Sequence, residues 1–211
     1  IALAKRLDAD VWEAIEAAGT KPFGFQAFEP GPGVGGHCIP IDPQFLTWRA
    51  DELGTELPFI KHAHEVNEGM PERVVGSVTT ALEARGVPLD TASVIALGAA
   101  YKPNVGDPRR SPAIEVFEGL CDRADVTLVD PHIEPSGARI PLTNDVSESE
   151  LSAADAVVLL VDHDAFDLER IGDTAEFVYD AKNVMPADVS ATVVTLGEVG
   201  GHVTDNPVAV A

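Results

Sequence analysis

The chain has 211 residues and a hydrophobic fraction of 45 %, which is typical of a globular protein with a sizeable core. Its 35 acidic and 14 basic residues give a formal net charge of −21, which argues against nucleic acid as the main partner because phosphate binding requires clustered cations. No apolar run approaches the roughly 20 residues that cross a bilayer, so we expect no membrane partner either.

Cysteine and lysine content bear on the cellular setting. Two cysteines form no disulfide framework and no segment resembles a secretory leader, so we expect a cytoplasmic protein. The carboxylates are scattered along the chain, and only five lysines are present. Such a composition is typical of halophilic proteins, in which salt screens the self-repulsion of the surface. An acidic protein from an ordinary medium is the alternative.

The amino-terminal segment predicts a helix followed by a long loop. Apolar residues at three- and four-residue spacing predict an amphipathic helix over residues 1–18, which Gly19 ends. Residues 20–43 are rich in glycine and proline and have no period. A loop of that length inside a compact domain is unusual enough to suggest a function.

Two further helices are expected before the character of the chain changes at Gly86. One covers about 43–54, and a longer one begins at Pro58 and covers about 58–85. Pro71 is expected to bend the longer helix or to start a new one. The apolar residues expected on its buried face are Phe59, Ile60, Val66, Val74, Val75, Val78 and Leu82.

After Gly86, short β-branched runs alternate with helical stretches. The predicted strands are 93–100, 125–130, 155–162, 176–181 and 191–197, and the predicted helices are 111–123, 147–154 and 164–171. Such alternation predicts an α/β fold with a doubly wound parallel sheet. We therefore expect a helical central domain over 1–86 and an α/β domain over 87–211.

The loop after the first predicted strand, residues 97–112, is a candidate binding site because ligands bind beyond the carboxyl ends of such strands. It has no G-x-G-x-x-G dinucleotide turn. It offers instead Tyr101, Lys102 and Arg109, and the helix that follows has Ser111 as its N-cap. Cations and backbone N–H groups on one loop suit a phosphate-bearing ligand.

The stretch PGPGVGGHCIP, residues 30–40, places Cys38 in a loop rather than in an apolar helix or strand. Gly33, Gly35 and Gly36 allow the backbone to approach a ligand closely and to adopt positive φ. Their N–H groups could stabilise a thiolate and a neighbouring oxyanion. A reactive thiol is the favoured hypothesis, and a buried inert thiol is the alternative.

Asp42 follows the thiol by four residues and could orient a water molecule or transfer a proton. A metal site is the competing functional hypothesis. Its possible ligands are His37, Cys38, Asp42, His62 and His64. Their spacing matches no zinc pattern, so we expect no metal.

Three other positions carry weaker expectations. Cys121 falls on the apolar side of a predicted helix and is expected in the core. The run DHD at 162–164 ends a strand, where capping of the next helix is favoured over cation binding. His132 is either a loop residue or a nucleotide contact.

Four blocks of the sequence, in the same order, resemble the UDP-glucose/GDP-mannose dehydrogenase family. They are GPGVGGHCIPIDP, HEVNEGMPERVV, LGAAYKPNVGDPRRSPAIEV and ADAVVLLVDHDAF. The form GGHCIP-x-DP is most similar to the members that act on UDP-N-acetylmannosamine and other UDP-N-acetylhexosamines. The resemblance covers nearly the whole chain and implies a Rossmann-like UDP-binding domain after the helical segment.

The resemblance also implies an activity, the oxidation of the C6 alcohol of the sugar to a carboxylate with two NAD+, as in polysaccharide biosynthesis. A cysteine adds to the aldehyde intermediate, and a thioester is then hydrolysed. By motif position Cys38 is the nucleophile and Asp42 the assisting carboxylate. The implied substrate-binding residues are Phe28, Gly33, Gly35, Gly36, His37, Tyr101, Lys102, Arg109 and Lys182.

The resemblance further implies a homodimer and an amino-terminal NAD-binding domain. The chain begins within the helical region, so we expect it to lack that domain and to oxidise nothing alone. A non-catalytic UDP-sugar-binding module is the alternative function.

Overall fold

The computed structural model describes residues 1–7, 9–137 and 140–197. The helices are α1 (Ala2–Leu7), α2 (Val11–Gly19), α3 (Cys38–Glu52), α4 (Pro58–Glu68), α5 (Met70–Ala84), α6 (Pro112–Cys121), α7 (Glu148–Ala153) and α8 (Leu168–Thr174). The strands are β1 (Ser93–Leu97), β2 (Asp125–Val129), β3 (Ala156–Leu159), β4 (Phe177–Asp180) and β5 (Thr192–Thr195). Short 3₁₀ helices occur at Leu89–Thr91 and Pro135–Gly137.

The five strands form one parallel sheet in the order β2-β1-β3-β4-β5. Each lies within a segment predicted as a strand, so the predicted α/β fold is confirmed. Leu97, at the end of β1, pairs with Val129 of β2 and Leu159 of β3, and Leu159 pairs with Asp180 of β4. The carboxyl ends of these four strands are therefore level, and their loops leave one edge of the sheet together.

Alternate residues of the strands bury into two separate cores. In β1, Val94 and Ala96 pack with α5 and α6, whereas Ile95 and Leu97 pack with α7 and α8. This division follows from the two-residue repeat of a strand. Because helices cover both faces, the central strands β1, β3 and β4 are buried on both sides, as the β-branched runs predicted.

The predicted helix over 58–85 is two helices. α4 ends at Gly69 and α5 begins with Met70 and Pro71, so the second of the two expectations for Pro71 is correct. α5 buries the predicted residues Val74, Val75, Val78 and Leu82 against the α/β core.

The expected buried positions on α4 are wrong in part. Phe59 is 84 % exposed and Val66 is 50 % exposed, whereas Ile60 is half-buried. The turn at Gly69 is the physical reason, because α4 does not continue the face that α5 lays on the sheet. α5 lies before residue 86 yet shares the core of the sheet, and the predicted domain boundary itself stays a prediction.

Three predicted helix boundaries also differ. The helix predicted over 1–18 is α1 and α2, and Asp10 caps the second of them by accepting the N–H groups of Trp12 and Glu13. α3 begins at Cys38 instead of near residue 43; Pro40 falls in its first turn, where an N–H has no partner within the helix, whereas Pro43 lies inside it. α8 begins at Leu168 instead of 164, with Asp167 as its N-cap.

The expectation that Cys121 lies in the core is wrong, because the residue ends α6 and is exposed. Partial burial of its thiol, with the carboxylates of Asp122, Asp125 and Glu118, raises the pKa of Cys121. A raised pKa means less thiolate at neutral pH, so this cysteine is a weak nucleophile.

Within the described part of the chain, no helix combines the length and the apolar character needed to span a membrane.

Candidate functional site

A cleft of about 200 Å³ lies at the carboxyl edge of the sheet. It opens between the loops that follow β1 and β3, where the strand order reverses, which is the usual ligand site of an open α/β sheet. Its lining residues are Glu29, Gly31, Pro32, Gly33, Ala100, Tyr101, Lys102, Pro103, Pro112, Ala113, Leu160, Val161, Asp162 and Lys182. The structure thus brings together the glycine-rich loop before α3 (residues 30–37, the glycine loop), the loop between β1 and α6 (residues 98–111, the β1 loop), the start of α6 and Lys182.

The β1 loop is held in place by Asp130, which directly follows β2 and is fully buried. Its Oδ2 accepts the N–H groups of Ala99 and Ala100 at 2.8 and 3.0 Å, and its Oδ1 accepts that of His132 at 2.9 Å. The amides of Ala99 and Ala100 begin the loop that carries Tyr101 and Lys102.

The electrostatic state of Asp130 follows from these contacts. Burial raises the pKa of Asp130, but hydrogen bonds from the His163 ring and from the amides of Ala99 and His132 outweigh it and leave the pKa below the ordinary 3.8. The carboxylate is therefore ionised at neutral pH and acts as a fixed acceptor for the loop.

The loop that carries Lys182 is fixed in the same way by a second buried carboxylate. Asp180, at the end of β4, accepts the N–H groups of Lys182 and Asn183 on Oδ1 and those of Val184 and Met185 on Oδ2, all between 2.7 and 2.8 Å. Asn183 has φ 57°, a left-handed conformation that asparagine tolerates better than most residues. Asp130 and Asp180 share a sequence signal, an aspartate at the end of an apolar strand, which the sequence analysis did not use.

Two acidic residues that were not predicted also line the cleft. Asp162 lies 3.6 Å from Nζ of Lys182, measured from Oδ1, and Glu29 precedes the glycine loop. The run DHD was expected to cap the next helix or to bind a cation. The capping expectation is wrong, since α8 begins later with Asp167 as its cap, Asp162 faces Lys182 and His163 is buried. Cation binding by this run stays a hypothesis.

The glycine loop packs against the β1 loop and the start of α6 through three glycines. An added Cβ at Gly33 would lie 2.8 Å from Cβ of Pro112, and one at Gly35 would lie 2.8 Å from Cβ of Tyr101. Gly36 has φ +84°, would place a Cβ 3.1 Å from the Tyr101 ring, and donates its N–H to the carbonyl of Arg110 at 3.3 Å. These contacts leave no room for a side chain, so the two sequence motifs form one interlocked unit.

Cys38 is exposed and is the first residue of α3, directly after this interlocked loop. Nδ1 of His37 and Oδ1 of Asp42 lie 3.8 Å apart on the same first turn, and both side chains are exposed. Cys38 and its two polar neighbours are not among the residues that line the cleft. They lie at the end of the loop that forms one wall of it.

Phe28 and Arg109 also lie outside the lining. Phe28 is 75 % exposed. Arg109 is exposed and pairs with Asp107 through Nη2 and Oδ2 at 2.7 Å, and its hydrogen bonds lower the pKa of Asp107 to about 2. His132 lies in the turn after Asp130, and its ring centroid is 4.8 Å from that of His163.

The described residues contain no group of three or more histidine, cysteine, aspartate or glutamate side chains that could hold a metal ion.

Two models of known families match the chain. The UDP-glucose/GDP-mannose dehydrogenase family, central domain, matches residues 1–69, and the UDP binding domain of the same family matches residues 95–187. The first match contains the glycine loop and Cys38, and the second contains the β1 loop, α6 and Lys182.

Curated relatives include a UDP-N-acetyl-D-mannosamine dehydrogenase of Methanococcus maripaludis, 36 % identical over 188 residues, which are 85 % of this chain and 42 % of that protein. An NDP-N-acetyl-D-galactosaminuronic acid dehydrogenase of Ralstonia nicotianae is 38 % identical over 165 residues, 76 % of this chain and 37 % of that protein. The solved structure of a UDP-D-ManNAc dehydrogenase from Pyrococcus horikoshii has a TM-score of 0.79 at 30 % identity, covering 94 % of this chain and 46 % of the other. The chain therefore spans about two fifths of the length of the curated relatives it matches.

Proposed function

Because the chain belongs to the UDP-glucose/GDP-mannose dehydrogenase family, we propose that it is part of an NAD-dependent nucleotide-sugar 6-dehydrogenase. The proposed reaction oxidises the C6 alcohol of a UDP-N-acetylhexosamine to a carboxylate. UDP-N-acetylmannosamine is the first candidate substrate, since it is named for the Methanococcus and Pyrococcus relatives.

The observation that carries the proposal is the close packing of the glycine loop, which ends next to Cys38, against the β1 loop that lines the cleft. Gly35 and Gly36 bring the backbone against Tyr101, and two residues later the chain reaches Cys38. A nucleotide in the cleft would thus have its sugar end directed along a wall that leads to a thiol. A merely structural cysteine has no need of that arrangement.

The cleft suits the UDP part of such a substrate. Pro112 and Ala113, in the amino-terminal turn of α6, line it, and the positive end of the helix dipole favours a phosphate there. Lys102 and Lys182 supply the cations, and Tyr101 supplies an aromatic wall. We propose that Lys182 exchanges its contact with Asp162 for one with the diphosphate when the nucleotide binds.

We assign covalent catalysis to Cys38. Its sulfur would add to the C6 aldehyde to give a thiohemiacetal, and the thioester formed on oxidation would be cleaved by water. The N-terminus of α3 favours negative charge beside the sulfur, which suits the oxyanion of both tetrahedral species. Asp42 lies on the first turns of the same helix, from which we propose that it orients or deprotonates the water.

The turn after β1 does not have the glycines of a dinucleotide-binding turn. In the turn after β1, Ala100 and Pro103 occupy the positions where a G-x-G-x-x-G turn that starts at Gly98 has its second and third glycines. We therefore assign NAD binding to another part of the enzyme, and the chemistry assigned to this chain is limited to its thiol, its carboxylate and its nucleotide cleft.

The intact enzyme with Cys38→Ser tests the proposal against a matched cysteine variant, Cys121→Ser. We expect Cys38→Ser to lower uronate formation from UDP-N-acetylmannosamine by more than about 10³-fold, because serine at neutral pH is a far weaker nucleophile. Affinity for UDP should change little, since Cys38 lies outside the cleft lining. Cys121→Ser should retain normal turnover. Uronate yield by mass spectrometry and UDP affinity by calorimetry measure the two effects.

Normal uronate formation by Cys38→Ser would refute the thioester route. The alternative function, a non-catalytic UDP-sugar-binding module, predicts a different result, namely UDP binding with no oxidation by the wild-type protein. The cytoplasmic location, the homodimer and a role in polysaccharide biosynthesis stay predictions.

A further inference from the structure

His163 is a buried titratable residue that the proposed chemistry does not use. It directly follows Asp162 on the β3 loop, and its side chain has no exposed surface. Its ring lies 4.8 Å from that of His132 and 5.5 Å from that of Phe166, measured between centroids. A histidine fully enclosed beside a ligand cleft needs partners for both ring nitrogens.

Both partners of His163 are present, and together they select its tautomer. Nδ1 lies 2.9 Å from the backbone nitrogen of Asn104, and Nε2 lies 3.1 Å from Oδ2 of Asp130. A backbone N–H can only donate, so Nδ1 must accept. The proton of the neutral ring is then on Nε2, where it is donated to the Asp130 carboxylate.

These contacts fix the far end of the β1 loop. Asn104 has φ 60° and is held twice, since its N–H is donated to His163 and its Oδ1 accepts the N–H of Asp164 at 3.0 Å. Asp130 already holds the near end of the loop through Ala99 and Ala100. The three residues between these anchors line the cleft, and they are Tyr101, Lys102 and Pro103.

We propose that His163 is a positioning residue for nucleotide binding. Its neutral tautomer, selected by Asp130, accepts the N–H of Asn104 and so sets the place of Tyr101 and Lys102 in the cleft. The inference rests on the proposed function, since it takes UDP as the ligand of the cleft.

Two variants of the intact protein separate the contacts of the ring. In His163→Asn, the side-chain oxygen is at the same bond distance from Cα as Nδ1 and can accept from Asn104, but nothing replaces Nε2. In His163→Gln, the side-chain nitrogen is at the bond distance of Nε2 and can donate to Asp130, but nothing replaces Nδ1. Each variant keeps one hydrogen bond and loses the other.

We expect His163→Gln to weaken UDP binding about tenfold, and His163→Asn to stay within about threefold of wild type. Hydrogen exchange at the Asn104 amide should be faster by about tenfold or more in the Gln variant than in the Asn variant. The two variants should unfold at similar temperatures, because each loses one buried hydrogen bond. A purely structural role would lower UDP affinity in parallel with the unfolding temperature.

Equal UDP affinities of the two variants, with normal binding by wild type, would overturn the positioning role and leave the proposed function intact. Absence of UDP binding by wild type would refute the UDP site itself and the role of His163 in it. ¹⁵N NMR of wild-type protein at pH 7 gives a check that needs no variant to fold. We expect a proton on Nε2 and none on Nδ1, and a protonated Nδ1 would overturn the proposal.

Discussion

Asp130 and Asp180 each end an apolar strand, and both side chains are fully buried. At the end of a strand the next amides leave the sheet and lose their ladder partners. The two carboxylates replace those partners, which lets the loops turn sharply while these amides stay paired. The positions of Lys102 and Lys182 therefore depend on two buried acids that do not line the cleft.

The lowered pKa of Asp130 makes a testable contribution to stability. Its pKa in the folded protein is below the ordinary 3.8, so the unfolded chain binds the proton more readily and stability rises with pH in that range. The contribution is complete above about pH 5 and is lost as the pH falls through the folded-state pKa.

We expect Asp130→Asn to lower the free energy of unfolding by about 2–4 kcal/mol at pH 7, because an amide cannot accept all the N–H groups that now point at the carboxylate. The deficit should shrink as the pH falls from 5 toward 3. Urea denaturation of both proteins across this range measures it, with Asp122→Asn, on an exposed residue, expected to follow wild type. A deficit that stays constant down to pH 3 would contradict the assignment.

At the scale of elements, the glycine loop before α3 and the amino-terminal end of α6 act as one unit. The loop backbone packs closely, since any Cβ at Gly35 would be 2.8 Å from Cβ of Tyr101, and 2.9 Å from both the Arg110 carbonyl oxygen and Cδ of Pro112. Arg110 itself has φ 53°, and its carbonyl accepts the N–H of Gly36. This packing holds Cys38, at the end of the glycine loop, at a fixed distance from the β1 loop.

We expect Gly35→Ala to lower kcat/KM for the UDP-sugar by about tenfold or more in the intact enzyme. The added methyl group must push the glycine loop, and with it Cys38, away from Tyr101. Gly76→Ala is the control, since a Cβ there meets nothing within 4 Å. The control should keep normal turnover and gain about 0.4–1 kcal/mol of stability. Steady-state kinetics that do not distinguish the two variants would argue against the interlock.

At the scale of the molecule, the exposed and the buried hydrophobic residues occupy different parts of the chain. The buried hydrophobic residues of the described chain begin at Met70. Among the residues that the structure describes, the exposed large hydrophobic ones all precede it, and they are Leu3, Leu7, Phe23, Phe25, Phe28, Ile39, Phe45, Leu46, Trp48, Leu53, Phe59 and Val66. An apolar surface of this extent is typical of an interface, and we keep the homodimer as our prediction for it.

We expect the intact protein to sediment as a dimer. Phe59→Ser should raise the dissociation constant of the dimer at least tenfold, because serine removes an apolar ring that we expect the interface to bury. Glu56→Ser, a nearby exposed change, should leave the dimer intact. Sedimentation equilibrium measures both. A monomeric wild type would contradict the predicted homodimer.

The net charge of −21 also belongs to the whole molecule. Its carboxylates are spread over the surface, and the Asp162–Lys182 pair in the cleft is half-buried. Screening by salt would relieve the repulsion between them. The halophilic source stays a prediction.

The sequence by itself determined the strands, the α/β class and the two motifs. Five β-branched runs can bury both faces only in a parallel sheet covered by helices, and Ser111 with Pro112 announces a helix start. The thiol of Cys38 could be singled out because glycine and proline around it exclude the surroundings of an ordinary core cysteine. These features are local, so neighbouring residues suffice to read them.

Only the tertiary structure decided which residues meet. Arg109 is a cation on the predicted loop, yet it turns to Asp107 instead of the cleft. His163, Asp130 and Asn104 are distant in sequence, and their hydrogen bonds depend on the level ends of β1, β2 and β3. Strand register and loop packing bring such groups together, and both depend on contacts that no sequence spacing contains.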